Sequence, residues 1–240
     1  MNNGQDELNL TIKQPLSNIT FNKDWQQIIE IGASEFGVKL TQEQLDFLTF
    51  HANELIKWNK KFNITAIVDP FDVALKHFID SIAIAPLISD GSKLIDLGSG
   101  GGFPGMVLKV IKPSCDVFMA DSSQKKVNFL NYLITQTSLS RIIAVHARAE
   151  ALGKEKGYAN QFDFVISRAF TALNRFTEMA LALLKDGGTI IAMKGELKSE
   201  ELAPIINQKD LNVKVSEYLL PFERHKRCVV IIRHKISDSL

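Results

Sequence analysis

Apolar positions recur every three or four residues through the first third of the chain and then switch to short runs of strand length. The first part predicts three helices. One covers about 25–36, with Asp24 as its cap and Gly37 as its stop. A second follows Thr41-Gln-Glu-Gln44, which has the capping-box form, and carries Leu45, Phe47, Leu48, His51, Leu55 and Trp58. A third runs from about Pro70 to Leu87, with Val73, Ala74, His77, Phe78 and Ile82 along one face. From Lys93 onward, apolar strands are predicted at 93–97, 115–120, 141–146, 162–167 and 188–194, with helices at 104–111, 123–137 and 172–184 between them. Such alternation implies an α/β protein with a mostly parallel sheet and right-handed crossovers. The chain ends differently. Segments 213–220 and 227–233 follow each other without a helical pattern between them, which predicts an antiparallel terminal hairpin.

This order suggests residues 1–21 as a flexible extension, 22–87 as a helical cap and 88–240 as the main domain. The junction of strand and helix at 93–105 carries the chemistry. Lys93-Leu-Ile-Asp-Leu runs into glycine at 98, 100, 101 and 102, with Phe103-Pro-Gly105 after them, and Asp121 closes the next strand. Glycine admits backbone angles closed to other residues and lets a ligand approach the main chain. An acidic residue about 20 positions beyond such a loop is where nucleotide-binding α/β folds hold a ribose hydroxyl pair. The spacing departs from Gly-x-Gly-x-x-Gly at Phe103, which argues against a nicotinamide dinucleotide without excluding it. Asp96 ahead of Gly98, Gly100 and Gly102 suits S-adenosylmethionine better, because that ligand has no pyrophosphate to place on a helix N-terminus.

Composition narrows the picture modestly. The chain has 240 residues, a formal net charge of +1 and 45% hydrophobic residues, as ordinary globular proteins do. No apolar run is long enough for a membrane span. The start, Met1-Asn-Asn-Gly-Gln-Asp-Glu, does not have the form of a secretory signal. Cys115 and Cys228 fall in predicted buried strands without metal-ligand spacing, which predicts reduced core thiols, a cytoplasmic location and no metal site. A near-neutral total leaves nucleic acid open, since phosphate binding needs only a local patch. Lys57–Lys61, Lys125–Lys126, Arg224–Arg227 and Arg233–Lys235 are such patches.

Several further strings, in order along roughly residues 22–235, resemble a known family. They are Trp58-Asn-Lys-Lys-Phe-Asn-Ile-Thr-Ala66, His77-Phe-Ile-Asp-Ser81, the glycine loop, Asp121-Ser122, Arg148-Ala-Glu150, Val165-Ile-Ser-Arg-Ala-Phe170, Lys194-Gly195 and Glu223-Arg-His225. The family is glucose-inhibited division protein B, the ribosomal small-subunit methyltransferases G. The resemblance implies a Rossmann-like class I fold with an N-terminal helical cap, S-adenosylmethionine as donor, and N7 methylation of a guanine in 16S ribosomal RNA of the small subunit. By position it implies donor contacts at Gly98, Phe103, Ala149, Glu150 and Arg168, to which the spacing argument adds Asp121. Phe103 is expected to pack beside the donor.

Arg168 and Lys194, at the ends of strands four and five, are expected to position the acceptor. Arg224, His225 and Arg227 are expected to touch RNA, and Trp58 with Phe62 offer stacking surfaces. His77 and Asp80 share a helix face, either lining the cleft or joining helix to core. Guanine N7 has a lone pair and no proton to lose, which fits a chain without an obvious acid–base pair. A monomer is expected. Other readings remain: a methyltransferase for another RNA or a small molecule, a dehydrogenase-like nucleotide binder, or an assembly factor that holds the donor without using it.

Overall fold

The computed structural model describes residues 20–168, 172–222 and 225–235. Helix α1 (Lys23–Ser34) starts at Asn22, whose side chain accepts hydrogen bonds from the Asp24 and Trp25 amides. The cap is therefore two residues earlier than Asp24, because Asn22 has the extended backbone that a cap needs. Helix α2 (Gln42–Phe62) has the predicted capping box: the Gln44 amide donates to the Thr41 hydroxyl at 3.2 Å and the Thr41 amide to Gln44 Oε1 at 2.9 Å. The other end of the Gln44 amide group donates to the Val110 carbonyl at 2.8 Å, tying this helix start to the main domain.

The third helix, α3, is not uniform. Pro70–Val73 is α-helical, Ala74–Ile79 widens into a π-type segment, and Asp80–Ile82 returns to α. It stops there rather than at Leu87, and a short 3₁₀ turn, Ala85–Leu87, follows. The widened segment is a local irregularity of the kind found at functional sites. It contains His77 and ends at Asp80.

Beyond it come β1 (Lys93–Leu97), α4 (Gly105–Ile111), β2 (Asp116–Asp121), α5 (Gln124–Thr135), β3 (Ile142–His146), α6 (Ala149–Leu152), β4 (Phe162–Arg168), α7 (Leu173–Leu181), β5 (Leu184–Lys194), α8 (Ser199–Ile206), β6 (Leu211–Leu219) and β7 (Lys226–His234). The strands lie in the order β3-β2-β1-β4-β5-β7-β6. The first five are parallel, and β7 enters antiparallel between β5 and β6. The terminal pair is thus a hairpin as the pattern predicts, with the reversed strand inside the sheet and β6 at its edge. Helices α6 and α8 have too few periodic positions to stand out in the sequence.

Alternation along the strands sorts the core into two layers. Ile95, Leu97, Val165, Ile190, Ala192 and Val230 pack on one face with α7. Leu94, Val117, Met119, Ile166, Ile191 and Met193 face the other way and share a continuous core with the helices before Lys93. Ile28, Ile29, Leu48, Leu55 and Phe78 are all fully buried in that layer. Burying one such side chain is worth roughly 1.5–3 kcal/mol, so stripping off the cap would forfeit about as much as a typical net stability of ~5–15 kcal/mol. The helices before Lys93 are accordingly part of the same folded core as the sheet.

Replacing Thr41 with alanine removes the hydroxyl from the capping box and should lower stability by about 1 kcal/mol. Urea unfolding should show a lower midpoint at unchanged slope. An unshifted midpoint would mean that Gln44 alone holds this helix start.

Candidate functional site

The carboxyl ends of β1, β2 and β3 enclose a cleft of ≈ 500 Å³ lined by Leu97, Gly98, Ala120, Asp121, Ala147 and Ala149, with Ser122, Lys126, Arg148 and Glu150 around it. Gly98 opens the loop at φ +74°, a conformation that a β-branched residue resists, and its amide donates to the Ala120 carbonyl at 2.8 Å. A side chain at Gly100 would meet open space apart from the Gly98 carbonyl oxygen 3.9 Å away, so this part of the loop borders the opening. The inner glycines serve packing instead. A Cβ at Gly102 would press on Met106, Leu130 and His51 at 3.0–3.2 Å, and one at Gly105 on Asp96 and Met119 at 2.9 Å.

Two carboxylates shape the loop. Asp121 accepts the Gly100 amide at 2.9 Å on one oxygen and the Ser123 amide at 2.8 Å on the other. An ionised carboxylate has about four lone-pair sites, so two remain for an adjacent pair of ribose hydroxyls. Asp96 is fully buried; one oxygen accepts the Gly105 amide at 2.9 Å and the other has no partner among the described residues. Burial pushes its pKa from 3.8 to about 7, against the lowering pull of the Gly105 hydrogen bond. Apolar Leu97, Ala120, Ala147 and Ala149 offer surface to a flat base. These residues fit an adenosine-containing ligand, the carboxylate for its sugar and the alanines for its ring.

The residues expected from sequence divide. Gly98, Asp121, Ala149 and Glu150 come together in this cleft. Glu150 also pairs with Arg175 at 2.8 Å on the surface. Phe103 and Arg168 lie elsewhere. The Phe103 ring is buried, stacked between His51 at 4.9 Å and His77 at 4.5 Å, so it packs inside the cap–sheet interface rather than in the cleft wall. Arg168 is drawn to the cap side because its position alternates with Ser167 at the end of β4.

A second cleft of ≈ 560 Å³ lies there, between α3 and the ends of β4, β5 and β7, lined by Ile67, Lys76, His77, Asp80, Arg168, Met193, Lys194, Gly195 and Arg227. Arg168 donates to the Lys76 carbonyl at 2.5 Å and to His77 Nδ1 at 3.0 Å, with its guanidinium over the Phe103 ring. Since Nδ1 accepts, His77 carries its proton on Nε2 and donates it to the Thr65 hydroxyl, 2.8 Å away. Burial and then the Arg168 charge hold His77 neutral, with a pKa near 3 in place of 6.5. Burial likewise lowers His51 to about 4, and its Nε2 donates to the Gly101 carbonyl at 2.7 Å. Lys194 pairs with Glu201 at 2.7 Å. Arg224 lies outside the described residues.

Residues 44–228 match the family model described as GidB, rRNA small subunit methyltransferase G. The chain belongs to this family. Its relatives include the ribosomal RNA small subunit methyltransferase G of Acetivibrio thermocellus, 41% identical over 209 residues that cover 84% of this chain and 85% of that one. The corresponding protein of Geotalea uraniireducens is 38% identical over 221 residues, 90% of this chain and 100% of its own. Among solved structures, a SAM-dependent methyltransferase from Aquifex aeolicus superposes with a TM-score of 0.53 at 18% identity, covering 71% of this chain and 96% of that one. A predicted O-methyltransferase from Agrobacterium tumefaciens gives 0.52 at 20% identity, with 66% and 82% covered. Likeness at that level carries the fold, and the family carries the activity: S-adenosylmethionine-dependent methyl transfer to small-subunit ribosomal RNA.

The sequence pattern does not mark His51, Thr65 or Tyr218 as partners of the site. His51 reads as one more core position of α2, while Thr65 and Tyr218 reach His77 and Asp80 only through the fold. Trp58 is packed among Phe62, Phe129 and Tyr132, leaving Phe62, 38% exposed, as the accessible ring of that pair. Among the described residues no helix is long and apolar enough to cross a membrane.

Gly98→Val forces a β-branched residue into the left-handed region at the cleft mouth. Calorimetry with S-adenosylmethionine should show affinity reduced more than about tenfold, a loss above ~1.4 kcal/mol, with cooperative thermal unfolding retained. Unchanged affinity would move the donor off this loop.

Proposed function

We propose that this protein methylates N7 of a guanine in 16S ribosomal RNA, working in the cytoplasm as a monomer, with donor and acceptor entering by two neighbouring clefts. The observation that carries the reading is their placement. The cleft at β1–β3 and the cleft at β4, β5 and β7 flank the point where strand order reverses, the position at which open α/β sheets bind ligands. The first suits a nucleoside. The second is rimmed by Lys76, Arg168, Lys194 and Arg227, which suits RNA.

S-adenosylmethionine, when bound, supplies an electrophilic methyl group on its sulfonium. The residues that hold it are the backbone at Gly98, the Asp121 carboxylate on the ribose, and Ala149 with Glu150 beside the adenine. Arg168 and Lys194 direct N–H donors into the second cleft, where they hold the O6 edge of the acceptor and so present N7. That nitrogen has a free lone pair, so no residue has to remove a proton. The protein's task is to align the reactants and keep water out, and well-oriented pairs gain up to roughly 7–11 kcal/mol from alignment. His77 is a poor proton acceptor in any case, because its pKa is lowered to about 3 and its Nδ1 lone pair is taken by Arg168.

The deciding test is transfer from labelled S-adenosylmethionine to purified small subunits lacking their own guanine-N7 methylation, followed by cleavage at 7-methylguanine. One labelled guanine in 16S RNA is expected. Donor binding without transfer to any small-subunit preparation would remove the substrate while leaving the donor cleft in place.

A further inference from the structure

The charges that line the second cleft do not balance. Lys76 pairs with Asp72 at 2.6 Å and Lys194 with Glu201 at 2.7 Å. Arg168 and Arg227 share one carboxylate, Asp80, at 3.9 and 3.6 Å. Among the described residues, both guanidiniums therefore make their ion pairs with one acid that is 4% exposed. The Tyr218 hydroxyl donates to Asp80 at 2.7 Å and fixes its orientation. Burial raises the Asp80 pKa, while Arg168, Tyr218 and Arg227 act to lower it.

The two arginines are not equivalent. Arg168 is committed to the Lys76 carbonyl, to His77 and to the Phe103 face. Arg227 has weaker ties: its Nε lies 3.6 Å from Asp80, and among the described residues its Nη1 donates only to its neighbour's carbonyl, that of Lys226, at 3.3 Å. The same Nη1 lies 3.5 Å from where a side chain on Gly195 would begin. The fork of Arg227 thus lies along the bare backbone of Gly195, in the cleft wall, with donors to spare.

We infer that Arg227 is a phosphate clamp: it seats one backbone phosphate of the RNA strand at the mouth of the β4–β5–β7 cleft, aimed by the Asp80–Tyr218 pair. This rests on the RNA-methylating reading of the same cleft. A planar guanidinium matches two phosphate oxygens, and the added negative charge offsets the cleft's surplus positive one. Fixing one phosphate beside the acceptor sets the register of the strand, which a guanidinium pointed at solvent does less well.

The test measures binding to purified small subunits against salt concentration, beside donor calorimetry and thermal unfolding. Arg227→Gln should weaken subunit binding roughly tenfold and flatten the slope of log affinity against log salt by about 0.7, the share of one phosphate on a single strand. Arg227→Lys, which keeps the charge, should keep the slope. Donor affinity should not move in either. An unchanged slope in Arg227→Gln overturns the clamp, and so does donor affinity falling in step with subunit binding, which would place the donor's own carboxylate there. Should Arg227→Gln not fold, wild-type protein can be titrated with 16S RNA carrying neutral methylphosphonates one at a time around the acceptor guanine. One position must then reproduce the lost slope, and none doing so overturns the clamp. Absence of methyl transfer by the wild type would overturn the clamp and the RNA reading together; transfer with an unchanged slope would overturn the clamp alone.

Discussion

The Phe103 ring, closed between the imidazoles of His51 and His77, is the contact on which both clefts depend. A loop with glycine at four of five positions has little stiffness of its own, because each glycine enlarges the set of backbone states to be lost on folding. Stiffness has to come from outside. It comes from the cap: His51 on α2 donates to the Gly101 carbonyl, and the two histidines grip the ring that follows the last of those glycines. Uncharged rings are needed here, since a buried imidazolium without a counter-charge is costly. Burial itself keeps both histidines neutral.

The same stack sets up the second cleft. His77 presents Nδ1 to Arg168 because Thr65 takes the proton on Nε2, and Arg168 in turn lies over Phe103. The π-type widening of α3 occurs in the segment that holds His77 and leads into Asp80. One helix therefore supplies both the neutral acceptor for Arg168 and the carboxylate shared with Arg227. The glycine loop and the cationic cleft are thereby braced by side chains from the same helices, His51 from α2 and His77 from α3.

Much of this was legible in the sequence where a local rule applies. Strand β1 falls on its predicted residues, and β2 to β4 fall within one, because buried strands read as apolar runs between glycine and polar breaks. That Gly98, Asp121 and Ala149 gather in one cleft is equally readable, since they sit at strand ends in an order that α/β topology dictates. What stayed hidden was set by which face a residue takes. The family resemblance implies a donor contact at Phe103, whereas its ring is buried against His51 and His77. Arg227 reads as an RNA contact within a basic patch, but its neighbours do not: pairing of β7 with β5 brings it to Gly195 and Asp80. Tyr218 and Asp80 are 138 positions apart, and no spacing rule joins them.

If the cap's task is to orient Arg168 through His77 Nδ1, the two amide substitutions at His77 must differ. In Asn the side-chain oxygen can take the place of Nδ1 and keep accepting from Arg168; in Gln the amide reaches the position of Nε2 instead. Steady-state methyl transfer to small subunits should leave His77→Asn within about tenfold of wild type in kcat/KM, a loss under ~1.4 kcal/mol. His77→Gln should lose far more, chiefly in kcat, with donor affinity preserved. Equal losses in the two variants would contradict the account, leaving His77 as packing alone.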